Sequence, residues 1–381
     1  MKKICFITTI SSTLKAFVLK TAEYIHKNTD WDISFICNYD ENFEKSLPSY
    51  IHYIPVKMER GISFAGIKAM FEMIKIFKHE KFDLIQYSTP NASLYAAIAG
   101  KLARVPVRLY CQWGMIFVSF SGIKRKIFKF IEKTVCRLST HIQPDSKGNL
   151  DFSHNEGLYP QNKGSVIWNG SACGVNLEKF DLTKKQEYRD EIRNKYNFFP
   201  DDFVFGFVGR ITRDKGINEL FEAYKKIVQD NKNTYLLMVG NTEQDGTIQK
   251  DLFEWAQNCE NVIFTGFTNE VEKYVSAMDT YILPSYREGF GLGVIEAEAM
   301  GVPVIVTNIP GPMDAMIDNV TGRAVSPKDV MSLKNVMCDM LHNQQEAKAY
   351  GKAGIKFATE NFEQKQFLEK VLHNRKNLLN E

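Results

Sequence analysis

The sequence predicts an α/β fold of two doubly wound domains, and three observations carry that prediction. Its 381 residues are more than one hydrophobic core ordinarily serves. Short apolar, β-rich runs alternate with helix-forming stretches from end to end, the signature of parallel sheets covered by helices. A stretch near residues 170–200, rich in Gly, Ser and charge and without periodicity, separates two such runs of similar size. Hydrophobic residues at 44% and charged residues at 24% suit a globular chain and exclude disorder, collagen and coiled coil.

The elements follow in order. The opening run Ile4–Ile10 is short and broken by Thr8 and Thr9, with no small-residue cleavage site behind it, so it reads as a first buried strand over Lys3–Thr8 rather than a signal peptide. Further strands are expected at Asp32–Cys37, His52–Val56, Asp83–Tyr87, Val107–Gln112, His141–Pro144 and Ser165–Trp168. The second half adds Phe203–Val208, Thr234–Val239, Asn261–Phe264, Thr280–Leu283, Pro303–Thr307 and Arg323–Val325. Several end in Gly, Ser or Asn and run into a helix, and loops at the carboxyl ends of parallel strands are where such sheets bind ligands. The cleft between two domains of this kind is the default site. No window approaches 18 consecutive apolar residues, so no membrane-spanning helix is expected.

Several chemistries are set aside. The seven Cys are scattered without a CxxC pair, which reads as buried thiols in a reducing compartment. The seven His lack metal-ligand spacing, and no GxSxG, GxxxxGK[ST] or GxGxxG signature stands where its chemistry needs it. Asp30-Trp31-Asp32 has the DxD pattern of a metal–diphosphate site but precedes the second strand, at the amino end of the sheet, so no metal or other cofactor is expected. A nucleic-acid site would need a basic aromatic stripe on a recognised module, which is missing.

Charge is uneven. Residues 1–180 carry 24 Lys and Arg against 15 Asp and Glu, a balance of +9, and residues 181–381 carry 24 against 30, a balance of −6. The basic residues concentrate at 123–137, where Lys124, Arg125, Lys126, Lys129, Lys133 and Arg137 interleave with Ile123, Ile127, Phe128, Phe130 and Ile131. Two readings stand: a solvated helix with one face in the core, or a basic amphipathic helix that touches an anionic membrane surface through Lys124, Arg125, Lys126 and Lys129.

The chemistry concentrates in the second half. The strand ending at Pro284-Ser285 leads into Glu288-Gly289-Phe290-Gly291-Leu292-Gly293, which opens a helix running to Met300. Unpaired backbone N–H groups at such a helix start suit a phosphate or sugar oxygen, and the glycines admit close approach. Glu288 in the loop and Glu296 about two turns into the helix face one cleft without reaching one atom, which points to two separate hydroxyl contacts. Glu298 reads as a solvated surface residue. After the strand Phe203–Val208, Arg210 and Lys215 flank a turn, either as solvated cations or as groups placed to neutralise a diphosphate.

Together, GR(x)4KG at 209–216 and EGFGLGVIEAEAMGVPVI from Glu288 resemble the retaining GT-B glycosyltransferases that carry an E-x7-E motif, the group 1 or family 4 type. VGNTEQ, VIFTGF, SACGVNLEKF and FDLIQYSTPNASLYAAIAGKLARVPV resemble further parts of that family, the last its bacterial surface-polysaccharide branch. The resemblance implies two Rossmann-like domains facing across a cleft. Residues 1–175 would bind the acceptor, 176–360 would bind the nucleotide sugar, and a helix over about 361–381 would cross back to the first domain. It implies that Arg210 and Lys215 bind the diphosphate and stabilise the leaving group. Glu288 would contact the donor sugar and Glu296 the ribose. Backbone groups of Phe290, Gly291 and Leu292 would hold phosphate and sugar, and those near Thr265, Gly266 and Phe267 the base. A UDP-linked hexose or N-acetylhexosamine is the implied donor. No cofactor is implied.

Departures bear on the acceptor side. Where that family commonly has His-Gly after the fifth strand, this chain has Cys111-Gln112-Trp113-Gly114, so Trp113 is expected to stack on a sugar in place of an imidazole. The first loop lacks Gly-Gly and offers hydroxyls instead, with Thr9 and Ser11 placed to meet an acceptor phosphate. The +9 first half suits a polyprenyl-diphosphate-linked acceptor, with the enzyme peripheral on the inner face of the cell membrane.

Overall fold

The computed structural model describes residues 1–59, 64–243 and 247–380. The chain divides into two compact units, Met1–Cys173 with Lys365–Glu381, and Gly174–Gln364.

The first unit holds six parallel strands: β1 (Lys3–Ile7), β2 (Asp32–Cys37), β3 (Ile51–Pro55), β4 (Leu84–Tyr87), β5 (Val107–Gln112) and β6 (His141–Pro144). They lie in the order β3-β2-β1-β4-β5-β6. The strands are buried on both faces, as sheets covered by helices require, so Ile4 and Phe6 point to one layer and Cys5 and Ile7 to the other. The second unit repeats the plan with β7 (Phe203–Val208), β8 (Thr234–Val239), β9 (Val262–Gly266), β10 (Thr280–Leu283), β11 (Val304–Thr307) and β12 (Gly322–Val325). Their order is β12-β11-β10-β7-β8-β9. In each sheet the chain reverses its direction of winding beside the first strand, between β1 and β4 and between β7 and β10. Loops diverge there and leave a crevice at the strands' carboxyl ends.

The expected strand at Ser165–Trp168 does not form. Ser165 donates one backbone hydrogen bond to Ile142 of the edge strand β6, and the segment then turns through Trp168 (φ 51°) and Gly170 (φ 109°). Its apolar residues serve another purpose: Ile167 packs with Phe367 and Val371 of the final helix, Gln364–Leu378. That helix also brings Leu372 and Leu379 to the layer that covers β1 and β2. Its Arg375 is buried and donates to Gln86 on β4 and Gln143 on β6.

All seven cysteines are free thiols; five are buried, while Cys259 and Cys338 are half-buried. Among the described residues no helix is long and apolar enough to cross a membrane.

Candidate nucleotide-sugar site

The carboxyl ends of β7, β8 and β9 all terminate in glycine, at Gly209 (φ 149°), Gly240 (φ 133°) and Gly266 (φ 72°). The three backbones run close together. Gly209 N–H donates to Val239 and Gly240 N–H to Gly266, each at 2.9 Å, and a Cβ placed on Gly240 would sit 2.0 Å from the Gly209 carbonyl oxygen. The three strand-end glycines therefore leave backbone groups open along this rim. Phe267 projects just past β9, with 69% of its surface exposed.

The loop after β7 crosses the switch point to meet the loop after β10. Gly216 makes the crossing possible: φ is 72°, and a Cβ there would lie 2.0 Å from the Pro284 carbonyl oxygen. Tyr286 N–H donates to the Asp214 carbonyl, and the Asp214 carboxylate accepts from Thr212 and pairs with Arg287 at 3.0 Å. This stitching brings Lys215 against Glu288: the Lys215 ammonium donates to Glu288 Oε1, which also accepts from Ser285 Oγ at 2.7 Å. Arg210 sits half-exposed and pairs with Glu243 at 2.9 Å. The VGNTEQ segment that supplies Glu243 ends at Gln244, outside the described residues.

The short helix Leu292–Ala299 starts from Gly291, whose φ of 96° sets the entry angle, and no side chain caps it. Phe290 is buried against Phe362, so that residue offers only its backbone to a ligand. Glu296 lies inside the helix's second turn. Burial raises the pKa of the Tyr281 hydroxyl, and Glu288 and Glu296 add to the rise. Burial pushes the Glu296 carboxyl up to about 7, with Lys179 pulling it down and Glu272 adding to the rise. Lys179 is a neighbour that motif reasoning missed; it pairs with Glu272 at 3.5 Å and donates to the Asn269 carbonyl.

Glu298 corrects an expectation. Its relative exposure is 0%, and neither carboxylate oxygen has a hydrogen-bond partner among the described residues. Burial drives its pKa far up. Two residues past Glu296, a helix turns from rim to core.

The geometry is thus a glycine-lined rim, two paired cations and an uncapped helix start gathered at one switch point. Comparisons with known proteins agree with it. The model for glycosyl transferases group 1 matches residues 188–357, and the glycosyl transferase 4-like model matches residues 3–146. The chain belongs to the group 1 glycosyltransferases. It is 28% identical over 356 residues to the capsular polysaccharide biosynthesis glycosyltransferase CapM of Staphylococcus aureus, covering 93% of this chain and 92% of that one. It is 26% identical to the Escherichia coli UDP-Gal:alpha-D-GlcNAc-diphosphoundecaprenol alpha-1,3-galactosyltransferase, covering 81% and 80%. In fold it is similar to Anabaena HepE in complex with UDP-glucose, with a TM-score of 0.79 at 17% identity, covering 99% of this chain and 100% of that one. Two Rossmann-like units of the GT-B kind are the architecture of this glycosyltransferase.

The first unit of the glycosyltransferase has its own switch point, between β1 and β4. Thr9 lies there, with its N–H and hydroxyl both bonded to Thr89 Oγ1 at 3.1 and 2.8 Å. Thr89 holds a left-handed φ of 68° to make that contact. Ser11 Oγ donates to Asp40 at 2.6 Å, and Trp113 lies half-buried with its ring 5.4 Å from that of Phe17. Gln112 turns inward, donating to the buried Glu132 carboxylate at 2.6 Å, where Tyr110 also donates. Asp32 of the DxD pattern pairs with Lys3 and His52 at the amino end of the sheet.

The basic segment forms the helix Gly122–Leu138. Arg125 and Lys129 both pair with Glu156, at 2.7 and 2.6 Å, and so are engaged within the unit. Lys124 lies over the Phe120 ring. Lys126, Lys133 and Arg137 are exposed, and so are Ile123 (77%), Ile127 (49%) and Phe130 (71%). The outward face is therefore apolar and cationic together.

Proposed function

We propose that this glycosyltransferase moves a hexose or N-acetylhexosamine from a UDP-linked donor to a polyprenyl-diphosphate-linked saccharide, with retention at the anomeric carbon, during surface-polysaccharide assembly. The observation that carries the reading is the junction of the β7 and β10 loops, where Lys215 and Glu288 meet beside an uncapped helix start. Each of Arg210 and Lys215 is charge-balanced by a carboxylate. A diphosphate entering the site takes over those cations, and Glu288 accepts from sugar hydroxyls. The positive ends that remain, two side chains and the Gly291–Leu292 amides, face the charge that grows on a departing nucleoside diphosphate. The Gly266 loop receives the base with Phe267 at its edge, and Glu296 accepts from the ribose. Such a site draws its positive potential from protein groups, so transfer proceeds without a metal ion.

Support for the acceptor comes from the relative named for a diphosphoundecaprenol substrate and from the outward face of the basic helix. Cations there attract anionic lipid at roughly 1 kcal/mol each, and Ile123, Ile127 and Phe130 enter the interface. The enzyme works as a peripheral protein on the cytoplasmic membrane face. The test is a panel of UDP- and other nucleotide-linked sugars offered with a polyprenyl-diphosphate-linked N-acetylhexosamine, the product anomer being assigned by NMR. A product formed only from a non-uridine donor, or with inverted configuration, overturns the corresponding part of the reading.

A further inference from the structure

The second unit has a cavity of about 350 Å³ at the opposite end of its sheet from the loops that carry Arg210 and Glu288. Phe203, the first residue of β7, lines it, with Asp279 and Pro303, which immediately precede β10 and β11. Three cations line it too: Lys185 and Arg189 from the helix Lys185–Lys195, and Lys348 from the helix Gln344–Phe362.

Their partners are unequal. Arg189 is fully engaged, paired with Asp279 at 2.7 Å and bonded to three successive carbonyls from Ser276 to Met278. Asp279 also answers Arg193, so the one acid on the wall is shared between two guanidinium groups. Lys185 and Lys348 form no ion pair among the described residues. Lys185 uses one of its three donors, to the Gly301 carbonyl at 3.1 Å, and is half-buried. Beside them the helix Gln344–Phe362 begins with no side-chain cap, and its first residues Gln344, Ala347 and Lys348 are on the cavity wall. A half-buried ammonium with one acceptor, a second lysine without an ion pair and the uncapped start of a 19-residue helix therefore converge on one volume, large enough for a small sugar phosphate.

We propose that this cavity is a second ligand site, separate from the donor site, that takes a phosphate-bearing small molecule. The phosphate oxygens would accept from Lys185, Lys348 and the Gln344–Glu346 amides. Gln186 and, among the other lining residues, Phe203, Met278 and Pro303 offer a polar and an apolar surface to the rest of the molecule.

The test uses the full chain with excess UDP present to occupy the donor site. Inorganic phosphate and glucose 6-phosphate are the probes, against sodium chloride at matched ionic strength. Lysine acetylation is read residue by residue by mass spectrometry, and the thermal midpoint is followed in parallel. The expected result is that phosphate protects Lys185 and Lys348 at least severalfold while Lys352, on the same helix, is unaffected. Lys348→Gln, a change at an exposed position, removes the accompanying rise in midpoint, and Lys185→Met does so independently. Stronger protection by glucose 6-phosphate identifies an ester as the ligand class, and equal protection identifies phosphate itself. Protection that chloride reproduces, or a midpoint rise that survives in Lys348→Gln and Lys185→Met alike, overturns the proposal.

Discussion

Arg210 and Lys215 occupy unlike surroundings, and their substitution should show it. Lys215 is half-buried and locked to Glu288, whereas Arg210 is half-exposed beside Glu243. Removal of one donor aimed at a developing charge costs about 10²–10³ in rate. Lys215→Ala and Arg210→Ala should each lose that much in kcat with the thermal midpoint little changed, and wild-type turnover in either would remove the pair from the mechanism. Glu296 predicts a pH signature. Its carboxyl titrates at about 7 because it is buried near Glu272, and the ionised form is the stronger acceptor for ribose hydroxyls. Affinity for UDP-glucose, whose diphosphate diester does not titrate in this window, should by calorimetry rise from pH 6 to pH 8 in the wild type and stay flat in Glu296→Gln. Glu298 acts on stability instead. Its folded pKa is raised, so the native state holds a proton that the unfolded chain releases above about 4.3, and stability falls as pH climbs past that value. Melting curves at pH 5 and pH 8 should show Glu298→Gln gaining on the wild type at the higher pH; a pH-independent difference would mean that the carboxyl is ionised in the fold.

At the scale of elements, the strand–loop–helix alternation was legible because period and punctuation coincide: several apolar runs of four to six residues end in Gly, Ser or Asn. The Arg210–Gly216 and Glu288–Gly293 loops were legible for the same reason, since glycines at strand ends leave few alternatives. What sequence did not disclose was allegiance across the fold. Val166-Ile167-Trp168 has a strand's composition, but Ile167 belongs with the final helix. Glu298 is charged and so reads as surface, yet its helix turns it into the core. The helix Gly122–Leu138 shows both sides of this. Its amphipathic pattern was evident, while only the fold reveals that Glu156 claims Arg125 and Lys129. Co-sedimentation with anionic vesicles should therefore weaken in Lys126→Gln/Lys133→Gln and in Ile127→Ser/Phe130→Ser. Arg125→Gln/Lys129→Gln should leave binding nearly intact and lower the thermal midpoint. Wild-type binding in both Lys126→Gln/Lys133→Gln and Ile127→Ser/Phe130→Ser would show that the exposed face is only solvated.

Over the whole molecule, a net charge of +3 conceals the +9 of residues 1–180, and vesicle binding should follow the local value. Raising salt from 0.05 to 0.5 M should release most of the protein from anionic vesicles and leave its affinity for UDP far less affected, since enclosed pairs are screened less than exposed ones. Transfer in EDTA should continue at its full rate, and restoration by Mg²⁺ of a lost activity would show that the cations of the site are insufficient.

The return of the final helix has a consequence for the order in which the protein is made. Residues 1–173 emerge from the ribosome first, but Phe367, Val371, Leu372 and Leu379 are missing from their core until the last segment is translated. Gln86 and Gln143 likewise wait for Arg375. The second unit is continuous, from Gly174 to Gln364, and lacks no later segment. A nascent chain arrested with Gln364 just clear of the exit tunnel should thus protect its middle portion from protease while the portion synthesised first is still cut, an inversion of the usual vectorial order.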